Sequence, residues 1–130
     1  MKILVVDDEG IVLDSCQRVL EADGFDAYLV PSADKALESM EHEDFALLLI
    51  DVKMPGHDGM YLMREVKERW PDIPIIVMSG YDTTETIEEA VEMGAATFIA
   101  KPFTPDELLE TIRQVIKKEE SSGKKEGPGN

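Results

Sequence analysis

Short apolar runs alternate with helical patterns five times along the chain. Residues 3–6, 47–50 and 73–78 are almost continuously apolar, as strands are when a parallel sheet is covered on both faces. Residues 25–30 and 97–100 carry weaker versions of the same pattern and read as edge strands. The segments between them announce helix ends. The first helix spans residues 10–23, places Val12, Cys16, Val19 and Leu20 on one face, and stops at Gly24, which tolerates a left-handed cap. Ser32 is the N-cap of a second helix that ends near Glu43. A third starts near Asp58, buries Leu62, Met63 and Val66, and stops before Pro71. Asp82 and Glu85 form a capping box for the fourth, which ends at Gly94. Thr104, Pro105 and Glu107 supply N-cap, first-turn proline and acid for the fifth, whose apolar positions are Leu108, Leu109, Ile112 and Ile116.

Strand followed by helix, five times, predicts right-handed crossovers and an α/β fold with helices on both faces of a parallel sheet. Placing the weakest strands at the edges gives the order 2-1-3-4-5, a doubly wound (βα)5 sheet of flavodoxin-like type. The expected domain is 1–118. From Glu119 the chain reads Glu-Glu-Ser-Ser-Gly-Lys-Lys-Glu-Gly-Pro-Gly-Asn, a composition that buries no core and suggests a disordered tail or linker over 119–130.

Charge narrows the partners. Thirteen Lys and Arg stand against 28 Asp and Glu, a formal net charge of −15. Such a surface repels nucleic acid and anionic lipid, so direct contact with either is not expected. The single cysteine, Cys16, allows no intrachain disulfide, which fits a reducing compartment. The N-terminal apolar run is too short for a signal segment, and nothing approaches the roughly 20 apolar residues of a membrane span. The expected location is cytoplasmic.

In an open parallel sheet, ligands bind beyond the carboxyl ends of the strands, where the strand order reverses. That point lies between the first and third strands, which end in Asp7-Asp8 and in Asp51. The fourth ends at Ser79 and the fifth at Lys101, followed by Pro102. Clustered carboxylates resist ionising together unless a cation holds them. Magnesium suits them, being hard and typically taking one or two carboxylates with waters and a phosphate oxygen. A carboxylate nucleophile, a metal, a lysine and a hydroxyl are the parts needed to move a phosphoryl group and form an aspartyl phosphate.

With these motifs the sequence resembles the response-regulator receiver-domain family of two-component signalling. The matching stretches are Val-Val-Asp-Asp-Glu at 5–9, Leu-Ile-Asp-Val-Lys-Met-Pro-Gly-His-Asp-Gly at 49–59, Val-Met-Ser-Gly-Tyr at 77–81, and Gly-Ala-Ala-Thr-Phe-Ile-Ala-Lys-Pro-Phe at 94–103. The resemblance implies that Asp51 is the phosphoacceptor, and that Asp8, Asp51 and the backbone carbonyl of Lys53 ligate magnesium, with Asp7 acting through a water. It implies that Lys101 pairs with the phosphoryl oxygens, that Ser79 donates to one of them, and that Phe98 is the aromatic switch. It also implies a cis Lys101–Pro102 bond, a state of only about 5–6% of such bonds. The expected donor is a sensor histidine kinase, a phosphotransfer protein or a small acyl phosphate. The expected output is a switched face of fourth helix, fifth strand and fifth helix, read by an effector protein or domain or by a second copy. Such a chain is a phosphoacceptor switch rather than an enzyme with its own substrate. Ser79 stands where the family more often has threonine, and Phe98 where it often has tyrosine.

Taken singly, Asp7-Asp8 or Asp51 reads equally well as a solvated strand end, Lys101 as a surface charge and Ser79 as a cap. Acids on two neighbouring strands, with Ser and Lys on the next two, form a set those readings leave unexplained. Cys16 and the methionines read as packing, and His42 and His57 lack ligand spacing. A flavin binder on the same fold would need a Gly/Ser/Thr-rich phosphate loop where this chain has Asp-Asp-Glu. An aspartate phosphohydrolase would usually carry Asp-x-Asp after the first strand. A degenerate receiver serving only for docking would not need the acids and the lysine.

Overall fold

A computed structural model describes residues 1–54, 58–80 and 84–125, with backbone alone at Thr84 and from residue 121 on. Ten elements alternate: β1 (Lys2–Val6), α1 (Gly10–Ala22), β2 (Asp26–Val30), α2 (Ala33–His42), β3 (Leu47–Asp51), α3 (Gly59–Arg69), β4 (Ile75–Ser79), α4 (Thr84–Glu92), β5 (Thr97–Ala100) and α5 (Pro105–Lys125). The strands pair in parallel in the order β2-β1-β3-β4-β5, so the fold is the doubly wound sheet that the apolar pattern predicts.

Side-chain alternation splits the core into two layers. Leu4, Val6, Leu48, Ile50, Ile75 and Val77 face one way, against Met40 of α2, Leu62, Met63 and Val66 of α3 and Ala90 of α4. Ile3, Val5, Leu47, Leu49, Ile76, Met78 and Ile99 face the other, against Cys16 and Leu20 of α1 and Leu108, Ile112 and Val115 of α5. This explains why β1, β3 and β4 lack polar alternation: both of their faces are inside. β2, an edge, is only partly buried.

The helix ends follow local chemistry. Ser32 Oγ accepts from Lys35 N–H at 3.2 Å, and Asp58 Oδ1 from Tyr61 N–H at 3.0 Å. Thr104 and Glu107 form a reciprocal capping box, with bonds of 2.9 and 3.1 Å. Gly24 and Gly94 take φ of 89° and 107°, the left-handed conformation that ends α1 and α4. Asp82, expected to cap α4, and residues 126–130 lie outside the described residues. α5 runs to Lys125, past residue 118, and Lys117, Lys118, Glu119 and Glu120 are strong helix formers that need no burial to continue a helix already nucleated before them.

Candidate functional site

Parallel register carries the strand ends to one rim. Val6 pairs with Ile50, Asp51 with Met78, and Ser79 with Ala100. The residues that follow each strand therefore converge. Asp7 is fully buried, Asp51 is 5% exposed and Ser79 is 3% exposed, while Asp8 faces solvent. Carboxylate oxygens of Asp7, Asp8 and Asp51 lie within 4.8 Å of one another.

Lys101 reaches into this acidic cluster from the end of β5. Its backbone N–H donates to the Ser79 carbonyl at 2.7 Å, and the Lys101–Pro102 peptide bond is cis. The ammonium sits 2.6 Å from Asp7 Oδ2, 3.2 Å from Asp51 Oδ2 and 3.3 Å from Glu9 Oε1. The Asp7 contact is an ion pair, and Asp7 Oδ2 accepts no hydrogen bond among the described residues. The remaining oxygens are spent on backbone: Asp7 Oδ1 accepts from Glu9 N–H at 2.9 Å, and Asp51 Oδ1 from Lys53 N–H at 3.1 Å. The second bond ties the backbone of Lys53 to the Asp51 carboxylate. Beside the cluster opens a cleft of about 450 Å³, walled by Ile11 and Val12 of α1 and by Pro102 and Phe103 after β5, with Asp51 and Lys53 on its lining.

Phe98 stands apart from the cluster. It pairs with Val77 and is 44% exposed. Val77 and Ser79, two residues apart, share a face of β4, so Phe98 lies on the same face as Ser79, one step back from the rim. Cys16 lies on the core face of α1, where burial, and then the Asp7 charge, push its thiol up to about 12. That thiol stays protonated and belongs to the core.

Electrostatics sets the resting state. Burial would lower the Lys101 ammonium, but the Asp7 and Asp51 carboxylates hold it above its ordinary value. Burial, with the Asp7 charge adding to it, pushes the Asp51 carboxyl from 3.8 up to about 6, against the pull of Lys53 N–H and Lys101. A carboxyl raised on folding makes the folded protein bind more protons than the unfolded chain between those values. Its contribution is therefore fully present below about pH 4 and is lost as pH rises through about 6, a loss of up to roughly 3 kcal/mol. In EDTA, Asp51→Asn should match wild type near pH 4 and exceed it by roughly 1–3 kcal/mol at pH 7. Urea denaturation across this range checks it; a gap independent of pH contradicts the assignment.

The sequence reading singled out Asp7, Asp8, Asp51, Ser79 and Lys101, and the fold brings these to one rim. Lys53 adjoins them through its backbone, and Phe98 flanks them at the edge. Glu9 and the apolar wall of Ile11 and Phe103 were missed as site residues. Glu9 stands in the motif after the paired acids, but nothing local tells that its side chain meets a lysine 92 residues away.

Comparison with known proteins agrees with this geometry. The family model of the response regulator receiver domain matches residues 3–113. The hydrogenase transcriptional regulatory protein HoxA of Cupriavidus necator is 41% identical over 115 residues, 88% of this chain and 24% of that protein. The transcriptional regulatory protein FixJ of Bradyrhizobium diazoefficiens is 33% identical over 124 residues, 95% of this chain and 60% of its own length. The chain thus spans about a quarter of the first relative and three-fifths of the second. Among solved structures, a CheY-like receiver domain protein of Methanospirillum hungatei superposes with a TM-score of 0.89 at 32% identity, covering 93% of this chain and 97% of that one. The receiver domain of NtrX from Brucella abortus gives 0.85 at 32% identity, over 88% and 98% of the two chains. The four motifs, the 2-1-3-4-5 sheet and these matches together make the chain a member of the response-regulator receiver-domain family.

Proposed function

We propose that the chain accepts a phosphoryl group on Asp51 in a magnesium-dependent reaction and switches its α4-β5-α5 surface in response. The observation that carries this is the Asp51 carboxylate on the lining of a cleft, with two further carboxylates within 4.8 Å and the Lys101 ammonium 3.2 Å away. An Asp51 oxygen attacks phosphorus while the bond from phosphorus to the donor breaks, and the donor atom keeps that electron pair. The donor is the imidazole nitrogen of a sensor histidine kinase or phosphotransfer protein, or the oxygen of a small acyl phosphate. Asp51 reacts ionised, so no proton leaves it, and Lys101 stays an ammonium throughout.

The residues fit a divalent cation. Asp7 Oδ2 is buried, ion-paired with Lys101 and without a hydrogen-bond partner among the described residues, and the three clustered carboxylates offer hard oxygen. Asp8, Asp51 and the Lys53 carbonyl would hold magnesium, with Asp7 contributing through a water. When bound, magnesium neutralises charge on the carboxylates and on the incoming phosphoryl oxygens.

A phosphoryl group adds roughly −1.5 to −2 charge and three acceptors. Lys101 and the Ser79 hydroxyl are the partners at neighbouring strand ends. Moving Ser79 toward the phosphoryl opens room on the face it shares with Phe98, and the exposed ring turns in. That changes the surface offered to an effector protein or domain, or to a second copy. The net charge of −15 argues against direct nucleic-acid contact. No helix among the described residues is long and apolar enough to cross a membrane, which accords with a cytoplasmic role.

Amide spectra with and without beryllofluoride and magnesium test this reading. Shifts are expected at residues 7–8 and 51–53 and across 84–116, reversed by EDTA. Changes confined to the rim, with 84–116 silent, would refute the switch.

A further inference from the structure

Lys101 is held from two sides. Asp7 Oδ2, at 2.6 Å, and Asp51 Oδ2, at 3.2 Å, hold it from within, and Glu9 Oε1, at 3.3 Å, meets it from the solvent side. Side-chain exposure rises outward, from 0% at Asp7 and 7% at Asp51 to 14% at Lys101 and 59% at Glu9. Glu9 is the N-cap of α1, where a shorter polar side chain would bond the first helical N–H groups. Its carboxylate makes no such bond and reaches Lys101 instead. Its backbone N–H donates to Asp7 Oδ1 at 2.9 Å. The acid that grips Lys101 from below therefore also fixes the root of the side chain that grips it from above.

We propose that Glu9 is a positioning residue, a tether that holds the Lys101 ammonium at the cleft mouth and competes for it with a phosphoryl group on Asp51. This rests on reading Asp51 as the phosphoacceptor. Once phosphorylated, Asp51 presents several strong acceptors beside an ammonium already 3.2 Å away. Lys101 turns to them and gives up its contact with Glu9, so the tether weakens the phosphorylated state relative to the resting one. Glu9 is largely exposed, so solvent screening limits the effect to about 2- to 5-fold in affinity, the range of an exposed ion pair.

The test is beryllofluoride affinity with magnesium, measured by calorimetry on the full chain. Glu9→Gln keeps the side-chain length and loses the charge, and should bind about 2- to 5-fold tighter than wild type. Glu9→Asp keeps the charge but is one methylene shorter, and should follow Glu9→Gln because the reach is lost. The gain from Glu9→Gln should vanish in a Lys101→Ala background, since the tether acts only through that ammonium. In the metal-free protein, the Lys101 side-chain nitrogen resonance should move in both Glu9 variants, which a purely structural role of the α1 cap would not cause. Equal affinity of wild type and Glu9→Gln, a Glu9→Asp that behaves as wild type, or a gain that persists without Lys101 overturns the tether while leaving Asp51 as acceptor. Absence of beryllofluoride binding to wild type overturns the acceptor reading and the tether with it.

Discussion

Incubated with acetyl phosphate and magnesium, the wild-type chain is expected to gain one phosphoryl mass and Asp51→Ala none. The neighbouring acids do not substitute. Asp7 is fully buried, with one oxygen 2.6 Å from Lys101 and the other on Glu9 N–H. Asp8 is exposed and has no ion pair with a described cation, so a phosphoryl group there would lack the lysine. Among Asp7, Asp8 and Asp51, Asp51 alone lines the cleft with an ammonium 3.2 Å from its Oδ2, and Glu9, which also lines the cleft 3.3 Å from Lys101, lies outside the cluster of three carboxylates that would hold the metal. Losing the nucleophile removes the covalent step itself, so the effect is total rather than graded. Asp8→Ala leaves the nucleophile but removes a carboxylate that would hold the metal directly, and labelling should fall by more than the roughly 10–100-fold that loss of an outer-shell partner costs. Intact-mass spectrometry reads all three. Undiminished labelling of Asp51→Ala would place the acceptor elsewhere and end the proposal.

How much of this was legible in the sequence depends on the range over which each signal acts. Caps were readable because they are local: Ser32, Asp58 and the Thr104–Glu107 pair each act within three residues. Strand order was readable because burial on both faces leaves a compositional mark on β1, β3 and β4. The convergence of Asp7, Asp8, Asp51, Ser79 and Lys101 followed from topology alone, since parallel strands must end on one side. The missed features lie elsewhere. The Glu9–Lys101 contact depends on how far two loops lean over the rim, and no periodicity encodes that. The cleft wall of Ile11 and Phe103 escaped for a different reason. Ile11 is 78% exposed on a helix whose core face runs through Cys16 and Leu20, so the pattern marks it as an outlier and gives it no role. Loss of apolar residues after Ile116 signals loss of burial and carries no mark of where a helix ends, and α5 continues to Lys125.

Gly59→Ala is expected to destabilise the protein by about 3 kcal/mol or more, at the upper end of what forcing atoms into a packed site costs. The reason is close approach of backbone to backbone. A Cβ at position 59 would press on the Asp51 carbonyl oxygen and fall 2.7 Å from Val52 Cα. Neither neighbour is a flexible side chain that can swing away. Gly59 also donates its N–H to the Val52 carbonyl at 3.2 Å, so the first turn of α3 is docked on the end of β3. The strain falls on the residue that carries the Asp51 carboxylate and on the loop whose Lys53 N–H holds it. Loss of stability should therefore come with slower labelling from acetyl phosphate, even under conditions where the variant is fully folded. Gly10→Ala supplies the contrast, because a Cβ there meets nothing within 4 Å. That substitution sits in the first turn of α1 and should be neutral or stabilise by up to about 1 kcal/mol through helix propensity. Urea denaturation of the two variants beside wild type should move the midpoint strongly down for one, and slightly up or not at all for the other. A Gly59→Ala midpoint within error of wild type would show that β3 and α3 do not meet as closely as this backbone contact requires.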